Sequence, residues 1–420
     1  MDHLLNSLKT ERLDKTITII SLNYYPEDTA IGIYSTQMAE YLKEQGWKVN
    51  VITGFPYYPR WEIDKDYKGK STYFEEEIND VKVFRFKQFV PSNPSFTKRI
   101  IHIIDFTVGS LINIRKIKET DVVLSVIPFT SSAWLGKKLS KKINAKHWIH
   151  IQDFEFDIAL ESGITSNSNL NKYFYKILSK FERKLLNSAD IVSTISYGMI
   201  EKLKNKCSTE RYYFPNWIDN DSIKPSKSKQ HHLLKSKKFK VLYSGNIGKK
   251  QDWELFIKIV NHFKNNLQIE FNIVGNGSFK NNLVKQTKVF TNVNHFNLVP
   301  YKELNDLLCS ADLHILFQKD NVIDTVMPSK ILGMMASEVP CLITGNINSE
   351  VAKMIKSKKI GYFYKTKEEL SVINKIEDLL SQRKVIKNVG VNARNYTIDS
   401  FSKDSILKLF EKKLNQINDN

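Results

Sequence analysis

The sequence predicts an α/β protein built from two doubly wound domains. Apolar runs of strand length alternate with helical segments through the first half of the chain, and the same alternation begins again after a polar, basic stretch. Such a pattern is typical of parallel sheets covered by helices on both faces. The length of 420 residues also suits two domains rather than one.

The first series opens with a βαβ unit. Residues 17–22 (ITIISL) suit a parallel strand buried on both faces, a helix follows at 33–45, and Gly46 ends that helix before a strand at 48–53. This order implies a right-handed crossover. The remaining predicted strands lie at 81–86, 122–126, 147–151 and 191–195, and the helices at 100–117, 134–142 and 173–186.

A composition break separates the two series. Residues 226–238 (SKSKQHHLLKSKK) are polar and basic, which is typical of a linker. The second series has strands at 240–243, 270–274, 295–296, 313–317 and 339–344, with helices at 253–263, 301–309 and 329–336. An amphipathic helix is predicted at 401–414. The predicted organisation is an N-terminal domain (1–222), a linker (223–238), a C-terminal domain (239–400) and a final helix (401–420).

The charge balance favours an acidic partner. The formal net charge is +18, from 63 Lys and Arg against 45 Asp and Glu, which suits phosphate-rich ligands, an anionic membrane face or nucleic acid. Nucleic acid ranks low among these, because aromatic residues do not interleave with the basic ones and no recognised module is present. The basic surplus also reflects a chain generally rich in Lys, Ile and Asn.

Cysteine usage and the N-terminus bear on location. The three cysteines, Cys207, Cys309 and Cys341, show neither a disulfide framework nor a metal-binding spacing, so a reducing compartment fits. The N-terminus lacks a signal peptide's apolar stretch, and no run reaches the roughly 18 apolar residues of a spanning helix. We therefore expect a cytoplasmic protein that is free to rest on a membrane.

Two glycine-bearing loops follow strands of the second series. The loop SGNIGKKQ (244–251) lets the backbone approach a ligand, places Lys249 and Lys250 nearby, and precedes a helix whose N–H groups attract anions. This is diphosphate-binding chemistry, although a βα turn with two solvated lysines is equally consistent. The loop GNGS (275–278) is not the G-x-G-x-x-G fingerprint, and alone it indicates a tight turn.

Three further segments lie just after strands or at helix starts. Gly32 opens the first helix, where a backbone contact to phosphate competes with an ordinary loop glycine. The segment IHIQDFEFD brings together His150, Asp153, Glu155 and Asp157, which are suited to orienting hydroxyls or moving protons, or else to capping a helix. The segment MPSK, with Ser329 and Lys330, is an anion site or simply a good helix start.

Residues 98–118 (KRIIHIIDFTVGSLINIRKIK) are rich in Ile and Phe and flanked by basic residues. His102 and Asp105 interrupt the run, so it does not span a bilayer. It suits either an interfacial helix with basic residues at the headgroups or, more commonly, a helix packed against the first sheet.

Taken in order, these segments resemble the retaining GT-B glycosyltransferases, and most closely the colanic acid and exopolysaccharide type of the glycosyltransferase family 4-like group. The segments that carry the resemblance are NYYPEDTAIGIYSTQMAEYL, VITGFPYYPRW, HIQDFEFD, SADIVSTIS, FPNWID, YSGNIGKKQ, IVGNGS and MPSK. Their shared order covers nearly the whole chain.

The resemblance implies two Rossmann-like domains facing across a cleft, with the nucleotide-sugar donor, a UDP- or GDP-sugar, bound mostly by the second. It implies a saccharide acceptor, expected to be lipid-linked, in the first domain, and a last helix that crosses back to it. The implied donor-binding residues are Gly32, Gly245, Asn246, Lys249, Lys250, Gly275, Gly277, Asp324, Ser329 and Lys330. His150, Asp153 and Lys250 are the implied catalytic residues.

The resemblance also implies that no metal cofactor is essential, because lysines and helix dipoles offset the diphosphate charge. One departure concerns ribose, since Gly333 stands where many relatives carry a glutamate, with Asp324 as a substitute. The prediction is therefore a retaining hexosyltransferase of exopolysaccharide biosynthesis, peripheral on the inner membrane face. Two alternatives stay open: a nucleotide-sugar 2-epimerase of the same architecture, and a catalytically degenerate nucleotide-sugar-binding protein.

Overall fold

The structure is a computed structural model that describes residues 15–28, 31–128, 130–154, 169–321, 330–382 and 386–419. The chain divides into two compact units. The first comprises Met1–Phe214 together with Leu407–Asn420, and the second comprises Pro215–Ile406. Each unit contains its own parallel sheet, so the predicted α/β fold with two sheets is confirmed.

The first unit is built on an eight-stranded sheet. Its strands are β1 (Thr16–Ile20), β2 (Lys48–Gly54), β3 (Tyr73–Ile78), β4 (Val81–Phe86), β5 (Val122–Ile127), β6 (Lys146–Ile151), β7 (Ile191–Thr194) and β8 (Glu210–Tyr213). They lie in the order β3-β4-β2-β1-β5-β6-β7-β8, and every pair is parallel except β3 with β4. The central strands β1 and β5 are buried along their whole length, as expected for strands covered on both faces.

Helices cover both faces of this sheet. They are α1 (Ile31–Glu44), α2 (Phe96–Lys116), α3 (Thr130–Ile143), α4 (Asn169–Leu186), α5 (Tyr197–Lys204) and α13 (Lys403–Asp419). Consecutive residues of β6 point to opposite faces, as the pleat requires. His147 hydrogen bonds Ser125 beneath α3, whereas the neighbouring Trp148 packs on Phe410 of α13 with ring centroids 5.0 Å apart. The last helix therefore belongs to the core of the first unit.

The second unit is built on a six-stranded, all-parallel sheet. Its strands are β9 (Phe239–Asn246), β10 (Ile269–Asn276), β11 (Val293–Phe296), β12 (Leu313–Phe317), β13 (Cys341–Thr344) and β14 (Tyr362–Tyr364), in the order β11-β10-β9-β12-β13-β14. Its helices are α6 (Trp253–His262), α7 (Lys280–Thr287), α8 (Leu304–Cys309), α9 (Lys330–Ala336), α10 (Glu350–Lys358), α11 (Glu369–Ser381) and α12 (Ile386–Phe401). Strands β9 and β10 are the longest pair and run in register to their last residues.

The segment predicted as a linker differs from that prediction. Residues 223–238 lie in the second unit, where they form two short 3₁₀ turns, Pro225–Lys227 and His232–Leu234. Ile223 and Leu234 are buried in its core. Two apolar side chains suffice to dock the segment, and a polar composition conceals them.

The boundary between the units also falls earlier than predicted, after Phe214 rather than after residue 222. Ile218 explains the shift, because its N–H donates to the Phe401 carbonyl at 2.8 Å and ties the segment to the end of α12. Strands β3, β8 and β14 and helices α5 and α10–α12 were not predicted individually. Within the described part of the chain, no helix has both the length and the apolar character that crossing a bilayer requires.

Candidate functional site

The ends of β9 and β10 bring two glycines side by side. Gly245 pairs with Gly275, and Asn246 pairs with Asn276, in the last two rungs of the parallel ladder. A Cβ atom on Gly275 would lie 2.0 Å from the Gly245 carbonyl oxygen, so any side chain there would clash with backbone. The two predicted loops therefore form one continuous stretch of bare backbone at the carboxyl edge of the sheet.

The loop after β10 folds onto the loop after β9. Gly277 has a φ of +153°, and a Cβ there would lie 2.4 Å from the Ile247 carbonyl oxygen. The Phe279 N–H donates to the same carbonyl at 3.0 Å, and the Ile247 N–H donates to Asn276 at 2.8 Å. These bonds hold both glycine loops in one arrangement.

The basic loop is fixed by its polar and aromatic neighbours. The Gly248 N–H donates to Gln251 Oε1 at 2.9 Å, and Trp253 Nε1 donates to the Gly248 carbonyl at 2.8 Å. The side chains of Lys249 and Lys250 are exposed on this loop. The structure thus presents two exposed positive charges on a hydrogen-bonded backbone, and the catalytic role of Lys250 stays a prediction.

Two lysines reach the paired glycines. Lys280 Nζ donates to the Gly275 carbonyl at 2.9 Å, and Gly245 is approached by Lys330. Its Nζ lies 3.3 Å from the position of a Gly245 Cβ and donates to the Tyr243 hydroxyl at 3.0 Å. The same ammonium lies 4.5 Å from the centroid of the Tyr243 ring, a cation–π distance. Burial lowers the pKa of Lys330 to about 8, because a desolvated ammonium loses its proton more readily.

Tyr243 connects this lysine to the loop backbone. Its hydroxyl accepts from Lys330 and donates to the Asn246 carbonyl at 2.5 Å. Sequence reasoning missed Tyr243, although an aromatic hydroxyl two residues before the strand-end glycine is a usable signal. The relay fixes a positive charge beside bare backbone, which is a geometry suited to holding an anion.

The helix after the basic loop differs from the prediction. Asp252 is the N-cap of α6, and its carboxylate accepts the Leu255 N–H at 3.1 Å. The helix N-terminus therefore already has an anionic partner, because an N-cap aspartate satisfies both a free amide and the dipole. Positive charge at this edge comes from lysine side chains more than from the N-terminus of α6.

Gly32 is packed against protein in the described structure. It is buried in the first turn of α1, and a Cβ there would lie 2.6 Å from the Glu27 carbonyl oxygen. This contact accounts for a glycine at position 32 without a ligand. Its predicted contact with the donor stays a prediction.

Glu27 is the carboxylate that sequence reasoning missed. One carboxylate oxygen accepts the backbone N–H groups of Tyr57 and Tyr58 at 2.7 and 2.9 Å, and the other accepts Asn23 Nδ2 at 2.7 Å. Burial raises its pKa to about 7, because desolvation outweighs the three donated hydrogen bonds. The acid in the PEDTA segment was its only sequence signal.

His150 lies in the interior of the first unit. Its Nδ1 hydrogen bonds Ser193 Oγ at 2.9 Å and its Nε2 hydrogen bonds Gln152 Nε2 at 2.9 Å. Because an amide nitrogen can only donate, Nε2 is the acceptor and Nδ1 carries the proton. Burial lowers the pKa of His150 to about 3, which keeps the ring neutral at physiological pH.

Asp153 is half-buried and follows β6 by two residues. The catalytic roles predicted for His150 and Asp153 stay predictions. Glu155, Asp157, Asp324 and Ser329 lie outside the described residues. Gly333 lies in α9 with the Leu308 side chain 3.4 Å from where its Cβ would be.

One group of described residues has the spacing of a metal site. Ligand atoms of His231, His232 and Glu303 lie within 4.8 Å of one another. However, His231 Nδ1 accepts the Leu233 N–H at 3.2 Å, so Nε2 holds the ring proton and faces Glu303 at 3.3 Å. A hydrogen-bonded cluster that anchors residues 223–238 accounts for this geometry.

Comparisons with known proteins place this geometry in a family. A family model described as glycosyl transferases group 1 matches residues 225–396. WcaI of Escherichia coli (strain K12), described as a colanic acid biosynthesis glycosyl transferase, is 31% identical over 408 residues, which cover 94% of this chain and 98% of WcaI. The chain is a group 1 glycosyltransferase. The predicted enzyme class and the resemblance to colanic acid glycosyltransferases are thereby confirmed.

Solved structures agree on the fold of this glycosyltransferase. Sucrose-phosphate synthase from Thermosynechococcus elongatus matches with a TM-score of 0.72 at 13% identity, over 96% of this chain and 99% of that one. HepE of Anabaena, in complex with UDP-glucose, matches with a TM-score of 0.67 at 12% identity, over 96% and 99% of the two chains. At these identities the likeness establishes the GT-B fold.

Proposed function

We propose that this group 1 glycosyltransferase binds a nucleotide-diphospho-sugar at the paired glycine ends of β9 and β10 and transfers its sugar to a saccharide acceptor. The observation that carries the proposal is the Lys330 ammonium, held 3.3 Å from the position that a Gly245 Cβ would occupy. A diphosphate is the group that exploits both bare amides and a fixed ammonium. The complex of HepE with UDP-glucose supports the donor class.

Charge develops at the diphosphate as the bond between the sugar C1 and the leaving oxygen breaks. Lys330 is held by Tyr243 before any ligand arrives, so it needs no reorganisation to stabilise that charge. Lys250 extends from the loop at the same strand edge and supplies a second, adjustable cation. We propose that Lys330 and Lys250 together take the place of an essential metal ion, so that sugar transfer continues in the presence of a chelator.

Retention and the acceptor complete the proposal. The acceptor hydroxyl approaches from the face that the diphosphate leaves, so the product keeps the donor's anomeric configuration. The acceptor is a lipid-linked saccharide of exopolysaccharide biosynthesis, and the enzyme works at the cytoplasmic face of the cell membrane. The basic surplus of +18 supports an anionic surface as the place of reaction.

The decisive experiment begins with donor binding. UDP, GDP and their sugars are screened for an increase in melting temperature, because a ligand that binds only the native state stabilises it. The donor found in this way is then incubated with and without saccharide acceptors, in the presence of EDTA. Transfer with the anomeric configuration retained in the NMR spectrum supports the proposal, whereas isomerisation of the donor alone supports a 2-epimerase.

Two lysine variants test the site itself. Lys250→Ala and Lys330→Met should each lower the transfer rate at least about tenfold, because each removes a cation from the leaving group. Lys264→Ala is the matched control, since that exposed lysine lies at the far end of α6. Transfer by Lys330→Met at the wild-type rate contradicts the proposed site, and binding of nucleotide without any turnover supports a degenerate binding protein.

A further inference from the structure

Helix α2 exposes apolar residues to solvent in addition to those that it buries in the core, such as Phe106 and Ile114. Its solvent side carries Ile100, Ile101, Ile104, Val108 and Ile112, which are 39%, 49%, 56%, 59% and 42% exposed. Its sheet side buries His102, Ser110 and Asn113 completely. A helix that packs only on a sheet buries its apolar stripe and exposes its polar one. The solvent side of α2 is therefore built for a second apolar environment.

The exposed residues follow one line along the helix. Ile101, Ile104, Val108 and Ile112 are spaced by three, four and four residues, which places them on one face over three turns. We call these four residues the α2 stripe. A contiguous apolar patch on a soluble unit marks an interaction site, whereas scattered exposed apolar residues do not.

Basic residues lie at both ends of the stripe. Lys98 and Arg99 precede it, and Arg115 and Lys118 follow it, all of them exposed. Asp105 is the one acid between them in the sequence, and its carboxylate accepts the Phe89 N–H at 2.6 Å. The ends of the helix thus carry positive charge, while its acid is directed to a backbone amide.

A groove between α3 and α4 gathers further lysines. It has a volume of about 280 Å³, with Trp134 and Phe181 among its apolar walls and Lys137, Lys141 and Lys184 at its rim. Burial, with repulsion from Lys141 and Lys184, lowers the pKa of Lys137. We call this feature the lysine groove. The repulsion between these neighbouring ammonium groups would be reduced by a bound anion, and the apolar lining suits a ligand that also has an apolar part.

The stripe and the groove belong to the same helical layer. Helix α3 packs beside α2 and also beside α4. Lys142 Nζ, at the end of α3, donates to the Arg115 carbonyl of α2 at 3.5 Å. Trp134, at the groove, also packs on the core cluster that holds Phe106 and Ile114 of α2. One face of the first unit therefore carries both features.

We propose that the α2 stripe and the lysine groove dock this enzyme on an anionic phospholipid bilayer. Helix α2 lies along the interface with its stripe at the acyl boundary, and the groove holds lipid phosphates. The apolar side chains of the α2 stripe would make no favourable contact with the phosphate backbone of a nucleic acid. A second copy of the chain, paired through the same face, would bring the basic helix ends and the groove against like charges.

This inference deepens the proposed lipid-linked acceptor and rests on that function for its biological purpose. Vesicle binding requires neither donor nor acceptor, so it is measured separately from transfer. The full chain is sedimented with vesicles of phosphatidylcholine alone or with added phosphatidylglycerol. Binding should favour the anionic vesicles and weaken with salt, because the lysines act over about 10 Å at moderate ionic strength.

Two variants separate the features. Ile104→Gln with Val108→Gln introduces good helix formers and removes the centre of the stripe, and should reduce vesicle binding about tenfold. Lys137→Gln, Lys141→Gln and Lys184→Gln together should abolish the preference for phosphatidylglycerol. The matched controls are Leu267→Gln with Val289→Gln, at residues 81% and 78% exposed, and Lys235→Gln, Lys237→Gln and Lys264→Gln together. These controls should bind vesicles as the wild type does.

Nucleotide binding by every variant verifies that it is folded. The proposal is overturned if the wild type ignores both vesicle types, or if the stripe variant binds like the wild type. It is also overturned if the wild type self-associates without lipid in sedimentation velocity and the stripe variant does not, since the face then belongs to a second copy. If the wild type binds anionic vesicles but transfers no sugar, the proposed function is contradicted and the proposed docking surface is still supported.

Discussion

The carboxyl edges of the two sheets are finished in opposite ways. In the second unit, β9 and β10 carry paired glycines next to their last residues, and described contacts bring the ammonium groups of Lys280 and Lys330 to them. In the first unit, the equivalent edge is closed by side chains. Glu27 holds the amides of the loop after β2, and Gln88 exchanges two hydrogen bonds with the backbone of Phe55. One edge leaves backbone open to a ligand, and at the other edge side chains occupy the backbone groups of the loops and fix them.

Arg85 shows how completely the first edge is closed. Its guanidinium is fully buried, donates to the carbonyls of Tyr25 and Gly54, and pairs with Glu76. The loops it holds present Tyr25 and Tyr58, each at least 40% exposed. Two doubly wound sheets of one chain can thus end in different ways, one in backbone without side chains and the other in loops held by buried polar side chains.

The largest expected effect comes from a side chain at the open edge. Gly275→Val places atoms within 2.0 Å of the Gly245 carbonyl, which is backbone and cannot move aside. We expect a loss of about 4 kcal/mol or more in unfolding free energy, together with loss of nucleotide binding. Chemical denaturation followed by tryptophan fluorescence measures the first. Gly333→Ala is the control and should be neutral or stabilising, because α9 accommodates a Cβ there.

Removing the carboxylate of the closed edge should have the next largest effect. Glu27→Ala leaves the buried Tyr57 amide and the partly buried Tyr58 amide without their acceptor, which should lower the unfolding free energy by about 3 kcal/mol. Glu62→Ala removes an exposed carboxylate and should leave stability unchanged. An equal effect of the two substitutions would mean that Glu27 does not hold the loop after β2.

The pH dependence of the closed edge gives a smaller effect. The pKa of Glu27 is raised from 4.5 to about 7 in the folded state, so the folded chain binds this proton more tightly than the unfolded chain. Its contribution is fully present below pH 4.5 and is lost as the pH rises through about 7, and the change between pH 5 and pH 8 is about 2.5 kcal/mol. Denaturation curves between pH 5 and 8 measure it. Glu27→Gln should remove this pH dependence of the unfolding free energy. If the pH dependence is unchanged in that variant, a group other than Glu27 causes it.

The smallest effect concerns binding at the open edge. Because the pKa of Lys330 is about 8, its ammonium is mostly charged at neutral pH and loses its proton above pH 8. Affinity for a nucleotide-sugar should therefore fall about tenfold, or about 1.4 kcal/mol, between about pH 7 and about pH 9. Calorimetric titration across this range tests it. Lys330→Met should bind weakly at every pH, without the decline.

Most of the fold could be predicted from the spacing of apolar residues in the sequence. Strands such as β1 and β5 are mostly apolar runs, and helices such as α1 and α3 lie at short spacing from them, so the α/β alternation could be predicted. The edge strands β3, β8 and β14 were not predicted, because a strand exposed on one side has no continuous apolar run. The polar segment 223–238 was misread for a similar reason, since its docking depends on two isolated apolar residues.

The sequence by itself determined the order of strands and helices, and it determined that glycines and lysines follow β9 and β10. Those are local properties of a few consecutive residues. Only the tertiary structure decided that Gly245 and Gly275 are paired in register and that Glu27 closes the first edge. It also decided that Lys330 reaches Gly245, whereas Lys249 and Lys250 of the basic loop are exposed. It also decided which side of α2 faces the sheet. The glycine pair and the Glu27–Tyr57 hydrogen bond each join residues 30 apart in the chain, and no local pattern encodes such contacts.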